Sequence, residues 1–90
     1  MGTAILKIKL MPESPETNLD DLKITSTEIV TNEQGSNIRF EKIPIAFGLT
    51  ALEVLFTRDE TLDSDELVKK LNDLPGIKSA EIIDFRRAFG

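Results

Sequence analysis

The hydrophobic pattern of this chain switches between the period of a strand and the spacing of a helix, and the order of these switches restricts the fold. Apolar residues recur at every second position in four segments, and at helical spacing in two segments between them. The predicted order of elements is therefore β-α-β-β-α-β.

The predicted strands cover residues 3–11, 36–43, 48–57 and 78–86. Strands one and three have the more apolar rows, which are Ala4, Leu6, Ile8 and Leu10 in the first and Thr50, Leu52, Val54 and Phe56 in the third. Strands two and four carry more charge, as the exposed edges of a sheet do. We therefore expect strands one and three at the centre of the sheet.

Two helices are predicted between the strands. Asn18 is the expected N-cap of the first helix, because its side chain can accept hydrogen bonds from the first free N–H groups, and Gly35 ends that segment. Asp63 and Glu66 have the spacing of a capping box and predict the start of the second helix, which ends before Pro75. The expected core faces are Leu19, Leu22, Ile29 and Val30 in the first helix and Leu67, Val68, Leu71 and Leu74 in the second.

Right-handed crossovers convert this order of elements into one α+β domain over residues 1–90. The strands then form a four-stranded antiparallel sheet, and both helices pack on one of its faces. This βαββαβ arrangement is the ferredoxin-like sandwich. Because the fold supports many functions, the function has to be inferred from a site.

The charge of the chain argues against polyanionic partners. The 11 lysines and arginines are outnumbered by 16 aspartates and glutamates, which gives a formal net charge of −5. A domain that binds nucleic acid needs a basic surface that displaces counterions from phosphates, and Trp and Tyr, which could stack on bases, are absent. We expect no direct contact with nucleic acid and none with a membrane.

Cysteine and histidine are both absent from the 90 residues. The chain can therefore form no disulfide, no Ser–His or Cys–His pair and no imidazole metal site. We expect no covalent catalysis, no bound metal and no cofactor, and we expect the chain to act by binding another macromolecule. Small secreted domains usually carry disulfides, and no signal segment is evident, so the cytoplasm is the expected location.

Residues 43–49, the turn between predicted strands two and three, form the first candidate binding segment. Five of these seven residues are apolar and none is charged, which is unusual for a surface connection. If strand three extends backwards, Phe47 lies on the face opposite Leu52 and projects from the end of the open sheet face. The alternative is that the Phe47 ring closes the end of the core. Gly48 would let another backbone approach closely.

Residues 84–90, with the sequence Asp-Phe-Arg-Arg-Ala-Phe-Gly, form the second candidate segment. One interpretation is an edge strand that ends in solvated cations, which protect the edge from aggregation. The other is a mobile basic finger, containing Arg86 and Arg87, that reaches an acidic or phosphate-bearing partner.

An acidic set follows predicted strand three and consists of Asp59, Glu60, Asp63, Asp65 and Glu66. Metal binding would require oxygen ligands that converge at a fixed spacing, and the spacing of an EF-hand loop is not present. We therefore interpret these residues as a loop followed by a capped helix.

Three motifs stand at defined places in the predicted fold. They are Met11-Pro12-Glu13-Ser14-Pro15 after strand one, Pro44-Ile45-Ala46-Phe47-Gly48-Leu49 before strand three, and Asp84-Phe85-Arg86-Arg87 at the end of strand four. Together they resemble the translation elongation factor 1-beta family in its archaeal form, and the C-terminal exchange domain of the eukaryotic counterpart. The likeness spans essentially the whole chain.

The resemblance implies a guanine-nucleotide exchange factor whose partner is elongation factor 1-alpha, the GTPase that delivers aminoacyl-tRNA to the ribosome. In that family the phenylalanine of the Pro-Ile-x-Phe-Gly motif wedges into the GTPase domain, and it maps onto Phe47. A basic residue near the C-terminus enters the magnesium and phosphate region, and the best-placed match is Arg87, with Arg86 beside it. The partner-binding residues that the resemblance implies are Pro44, Ile45, Phe47, Gly48, Arg86 and Arg87.

The competing interpretation is a ferredoxin-like regulatory module that binds a small molecule or associates with its own copy through the sheet. Other domains of this topology require residues that are missing here. An acylphosphatase-type enzyme needs an arginine-bearing phosphate loop after strand one, where this chain has Pro12-Glu13-Ser14-Pro15. A metal-carrying domain needs paired cysteines, and an RNA-recognition module needs aromatic residues on its central strands.

Overall fold

The fold is built on one four-stranded sheet that lies against two helices. The computed structural model describes residues 2–88. The strands are β1 (Thr3–Pro12), β2 (Ser36–Pro44), β3 (Thr50–Asp59) and β4 (Ile77–Ala88), and the helices are α1 (Leu19–Asn32) and α2 (Asp65–Asn72). A short 3-10 turn, Ala46–Gly48, lies between β2 and β3.

The strands lie in the spatial order β2-β3-β1-β4, and each neighbouring pair is antiparallel. β1 and β3 are therefore central and β2 and β4 are edges, as their apolar and charged rows predict. This order of strands, with the βαββαβ succession along the chain, confirms the predicted ferredoxin-like fold.

The core lies between one face of the sheet and the inner faces of the two helices. The register pairs Leu6 with Phe56 and Ile8 with Val54, so the two predicted apolar rows lie side by side. The most deeply buried core residues include Ala4, Leu6, Ile8, Leu10, Leu52, Val54 and Phe56 on the strands and Leu22, Val30, Leu67 and Leu71 on the helices. Each large apolar side chain buried here stabilises the fold by about 1.5–3 kcal/mol.

Helix α1 begins as predicted at Asn18. The Asn18 Oδ1 atom accepts hydrogen bonds from the backbone N–H groups of Asp20 at 3.0 Å and Asp21 at 3.2 Å. The core face of the helix differs from the prediction in one position, because Ser26 is fully buried between Leu22 and Val30. Its hydroxyl donates to the Leu22 carbonyl one turn earlier, so the buried oxygen is satisfied.

The end of α1 depends on two residues with different roles. Gln34 takes the left-handed conformation, with φ 69°, and the N–H of Gly35 donates to the Val30 carbonyl at 2.8 Å. These are the features of a Schellman cap, in which glycine commonly takes the left-handed position. Here Gly35 follows that position and is needed for space, because a Cβ atom on Gly35 would lie 2.9 Å from the Val30 carbonyl oxygen and 3.2 Å from the Phe56 ring.

Arg58 is a buried cation that the sequence pattern did not reveal, since predicted strand three stops one residue before it. It continues the inward-facing row of β3 and is only 6% exposed. Its Nε donates to the Glu33 carbonyl oxygen at 3.1 Å, and its Nη1 donates to the Asp63 carbonyl oxygen at 3.3 Å and to Ser64 Oγ at 3.2 Å. One guanidinium therefore joins the end of α1 to the start of α2.

The predicted capping box at the start of α2 is wrong. The helix begins at Asp65, one residue later than a box formed by Asp63 and Glu66 requires, and its N-cap is Ser64. Ser64 makes no side-chain capping bond, and its Oγ accepts a hydrogen bond from Arg58. Asp63 Oδ1 instead accepts from the N–H of Asp65 at 2.9 Å.

Within the part of the chain that the structure describes, neither helix has both the length and the apolar character needed to cross a lipid bilayer.

We predict that Arg58→Lys lowers the free energy of unfolding by about 1–3 kcal/mol. Lysine keeps the charge but cannot reproduce the planar set of donors that satisfies Glu33, Asp63 and Ser64 together. Urea unfolding followed by circular dichroism measures the change. The matched control is Arg39→Lys on the exposed edge strand β2, which should stay within about 0.5 kcal/mol of the wild type. Equal stability of the two variants would show that Arg58 does not join the helices.

Candidate functional site

The Phe47 side chain is 95% exposed, more than any other large hydrophobic residue in the described chain. It lies in the 3-10 turn Ala46–Gly48, which closes through a hydrogen bond from the Ile45 N–H to the Leu49 carbonyl at 2.7 Å. The prediction that Phe47 lies on a backward extension of strand three is wrong, because β3 begins at Thr50. The alternative, that its ring closes the end of the core, is also contradicted by its exposure.

The backbone of this turn is strained at Phe47. Its φ of 63° and ψ of 32° place it in the left-handed region, which costs a residue with a side chain roughly 1–2 kcal/mol. A buried phenylalanine would offset such a cost, but this ring is exposed to solvent. In the isolated domain, Phe47 therefore has a strained backbone and a side chain that is not buried. Residues with strained backbone conformations cluster at functional sites, including those that bind ligands.

Gly48 supports the same conformation. Its φ is 76°, so two successive residues are left-handed, and a side chain at this position would be strained. A Cβ atom on Gly48 would meet only Pro15, with the two Cβ atoms 4.0 Å apart. Glycine is therefore required by the backbone conformation rather than by lack of space, and the surface beside it stays open. Pro44 is exposed and Ile45 is half-buried at the base of the turn.

Arg86 and Arg87 both lie inside β4 and not in a mobile finger, whereas Phe89 and Gly90 of the same candidate segment lie outside the described residues. Arg86 is paired with Ile5 and Arg87 with Ala4 on β1. Because consecutive strand residues point to opposite faces, Arg86 lies on the open face and Arg87 lies on the face that carries the helices. Their side chains are 75% and 78% exposed. Both cations are available to a partner, but on different faces of one strand.

Each arginine is paired with a carboxylate. Arg86 Nε lies 3.0 Å from Asp84 Oδ2, two residues earlier on the same strand. Arg87 Nε lies 3.2 Å from Glu60 Oε2, which belongs to the connection between β3 and α2. The sequence pattern placed Glu60 only in an acidic loop, and no spacing rule connects it with Arg87. The antiparallel arrangement of β3, β1 and β4 brings these two residues together.

The Phe47 turn and the two arginines lie at opposite ends of the sheet. The turn follows the end of β2 near the level of Leu10 on β1, whereas Arg86 lies at the level of Ile5. Five residues of extended strand separate these levels, which is about 17 Å. The domain is 42 Å long in its longest direction. A single small molecule cannot contact both ends, whereas a protein partner can.

Asp59 of the acidic set is held by local hydrogen bonds in the loop after β3. Asp59 Oδ1 accepts hydrogen bonds from the Thr61 N–H at 2.9 Å and from the Thr61 hydroxyl at 2.8 Å. These bonds favour the ionised carboxylate and hold the pKa of Asp59 below its ordinary value of 3.8. Over residues 2–88, no group of three or more acidic side chains converges as a metal site requires.

This chain matches known proteins in both sequence and fold. Residues 5–88 match the family model described as the EF-1 guanine nucleotide exchange domain. An elongation factor 1-beta of Methanococcus maripaludis is 34% identical over 85 residues, covering 93% of this chain and 96% of the relative. The elongation factor 1-beta of Methanobrevibacter smithii is 36% identical over 91 residues, covering 97% and 98%.

A third relative and one solved structure also match this chain. The elongation factor 1-beta of Pyrococcus abyssi is 38% identical over 77 residues, covering 83% of this chain and 84% of the relative. A de novo designed protein, Foldit4, superposes with a TM-score of 0.61 at 19% identity and covers 98% of both chains. The designed protein shares the fold alone.

We predict that Phe47→Gly raises the free energy of unfolding of the isolated domain by about 0.5–1 kcal/mol. Glycine relieves the left-handed strain, and little buried area is lost because the ring is already 95% exposed. Urea unfolding measures the change, with Phe47→Ala as the matched control, because alanine keeps the strain and should leave the stability nearly unchanged. A glycine variant that is less stable than the wild type would show that the turn is not strained.

We predict that Asp59 contributes stability that is lost in acid. Because its pKa is lowered in the folded state, the contribution is complete above pH 3.8 and disappears as the pH falls through the lower folded value. Urea midpoints of the wild type and Asp59→Asn, measured from pH 7 to pH 2.5, should therefore converge at the acidic end. A constant difference over this range would contradict the prediction, as would a carboxyl titration by NMR with no downward shift.

Proposed function

Because this chain belongs to the family of EF-1 guanine nucleotide exchange domains, we propose that it promotes the release of GDP from the GTPase elongation factor 1-alpha and so lets GTP bind. The observation that carries the proposal is Phe47, an aromatic ring held in a strained turn and left 95% exposed. Pro44, Ile45 and Gly48 belong to the same motif and would contact the partner beside the ring. Members of this family exchange a nucleotide on a partner and perform no covalent chemistry.

Phe47 would act as a wedge. Transfer of its ring from water into an apolar pocket of the partner releases roughly 1.5–3 kcal/mol. The left-handed backbone fixes the direction of the Phe47 Cα–Cβ bond before the partner arrives, so less backbone entropy is lost on binding than with a flexible loop. The strain at Phe47 is thus tolerated in the free domain and is useful in the complex.

Arg86 and Arg87 would act on the nucleotide side. A guanidinium can take over carboxylates that hold Mg²⁺, or bind phosphate oxygens in a bidentate manner. Loss of Mg²⁺ removes the counter-ion of the GDP phosphates and weakens their binding. The exposure of both side chains supports this role, and the alternation of faces implies that one of the two reaches the site in a given complex.

These contacts can supply the free energy that faster GDP release requires. A thousandfold acceleration of GDP release corresponds to a barrier lower by about 4 kcal/mol. An exchange factor binds the nucleotide-free GTPase more tightly than the GDP-bound one, and linkage makes this antagonism mutual. A wedge and a cation at opposite ends of a rigid sheet could together stabilise the open form of the partner.

The alternative of a regulatory module that binds a small molecule or its own copy is less well supported. The exposed ring and the exposed cations lie at least about 17 Å apart along the strands, which suits a large partner. A translation factor acts where ribosomes are, so the cytoplasm remains our predicted location. We also predict no direct contact with nucleic acid, since the net charge is −5.

We predict that catalytic amounts of the chain accelerate release of a fluorescent GDP analogue from an archaeal elongation factor 1-alpha, and that Phe47→Ala lowers this acceleration about tenfold to a hundredfold. The loss follows from the burial free energy of the ring. Stopped-flow fluorescence measures the rate, and circular dichroism verifies the fold.

The matched control is Ile24→Ala on α1, which removes a 60% exposed side chain outside the turn and should leave the rate unchanged. A wild-type chain without effect on GDP release would reject the exchange function. Full activity of Phe47→Ala would reject only the assignment of the wedge.

A further inference from the structure

Glu60 is anchored at the end of the sheet that carries the arginines. Its N–H donates to the Gly2 carbonyl oxygen at 3.1 Å. Its side chain lies over Gly2 so closely that a Cβ atom on Gly2 would come within 2.6 Å of the Glu60 Cδ. The Glu60 side chain is only 26% exposed, whereas the Arg87 side chain to which it is paired is 78% exposed. The Glu60 side chain is therefore the more enclosed member of the pair and Arg87 is the more exposed one.

The pairing of Arg86 is of a different kind. Its partner Asp84 is 40% exposed and lies two residues away on the same strand. A local pair of this kind is held by β4 alone, whereas the pair of Arg87 with Glu60 connects the last strand to the connection after β3. Arg87 is thus the cation whose direction is controlled from elsewhere in the fold.

We propose that Glu60 is a positioning residue that restrains Arg87 and competes with phosphate or carboxylate oxygens of a partner for its guanidinium. This inference rests on the proposed exchange function, because it concerns the cation assigned there. An incoming anion must share Arg87 with Glu60 or displace it, and the negative charge of Glu60 repels that anion at short range. Glu60 therefore keeps Arg87 neutralised until a partner offers oxygens in better geometry.

The expected size of the effect is modest, since exposed ion pairs are weak. Loss of the Glu60 charge should increase the anion affinity of Arg87 about twofold to fivefold at low ionic strength. The increase should shrink as salt is added, because the two groups are screened. A purely structural role of Glu60 would produce neither the increase nor its dependence on salt.

The first experiment titrates inorganic pyrophosphate into the ¹⁵N-labelled full chain and follows the arginine Nε–H signals by NMR. Glu60→Gln removes the charge and should bind pyrophosphate twofold to fivefold more tightly. Gly2→Val should do the same, because its side chain occupies the space of the Glu60 carboxylate and displaces it without changing any charge. Glu81→Gln is the control, since it makes the same charge change at an exposed position of β4 and should have no effect.

The second experiment measures GDP release from elongation factor 1-alpha with the same variants. Glu60→Gln should increase the rate by a similar factor in the wild-type background and have no effect in an Arg87→Ala background. An unchanged or lower pyrophosphate affinity of Glu60→Gln would overturn the proposal, and so would an effect that persists without Arg87. If the wild type does not accelerate GDP release, the exchange function fails, but the pyrophosphate series still decides the role of Glu60.

Discussion

The antiparallel pairing of β1 with β3 is the constraint on which the rest of the molecule depends. It runs from Thr3 opposite Asp59 to Leu10 opposite Leu52 and places two apolar rows on one face of the sheet. Both helices must cover that face, because an exposed row of leucine, isoleucine and phenylalanine would forfeit most of the stabilisation of the fold. The residue rows on the opposite face of the sheet are not covered by helices. At the two ends of the paired strands, loops and edge residues are accessible to a partner.

Periodicity was sufficient to predict this framework, because alternation along a strand is a local property of the sequence. The capping role of Asn18 was predictable for the same reason, since it involves only the next three residues. The start of α2 was predicted one residue too early, and the contact of the Ser64 hydroxyl with Arg58 from a different element could not be predicted from a local motif.

The candidate site shows the same division between local and tertiary information. A run of apolar residues without charge identified residues 43–49 as unusual, but a backward extension of strand three did not indicate a left-handed phenylalanine, which is an uncommon conformation. The exposure of Phe47 depends on how the turn closes, through Ile45 and Leu49. The pairing of Glu60 with Arg87 was likewise not predictable, because it requires the order of strands in the sheet and the register of β4.

A bulge in β4 decides which arginine lies on which face. Between Ile82, which is paired with Ile8, and Asp84, which is paired with Lys7, the register shifts by one residue at Ile83. If Ile83 paired regularly with Lys7 instead of forming the bulge, every residue from Asp84 onwards would face the opposite side of the sheet, because facing alternates with every residue. Arg87 would then point to the open face, away from Glu60, and Arg86 would take its place. The bulge therefore links the sheet to the candidate site. Because of it, β4 can place apolar residues against the core at its start and still direct Arg87 towards the Glu60 carboxylate near its end.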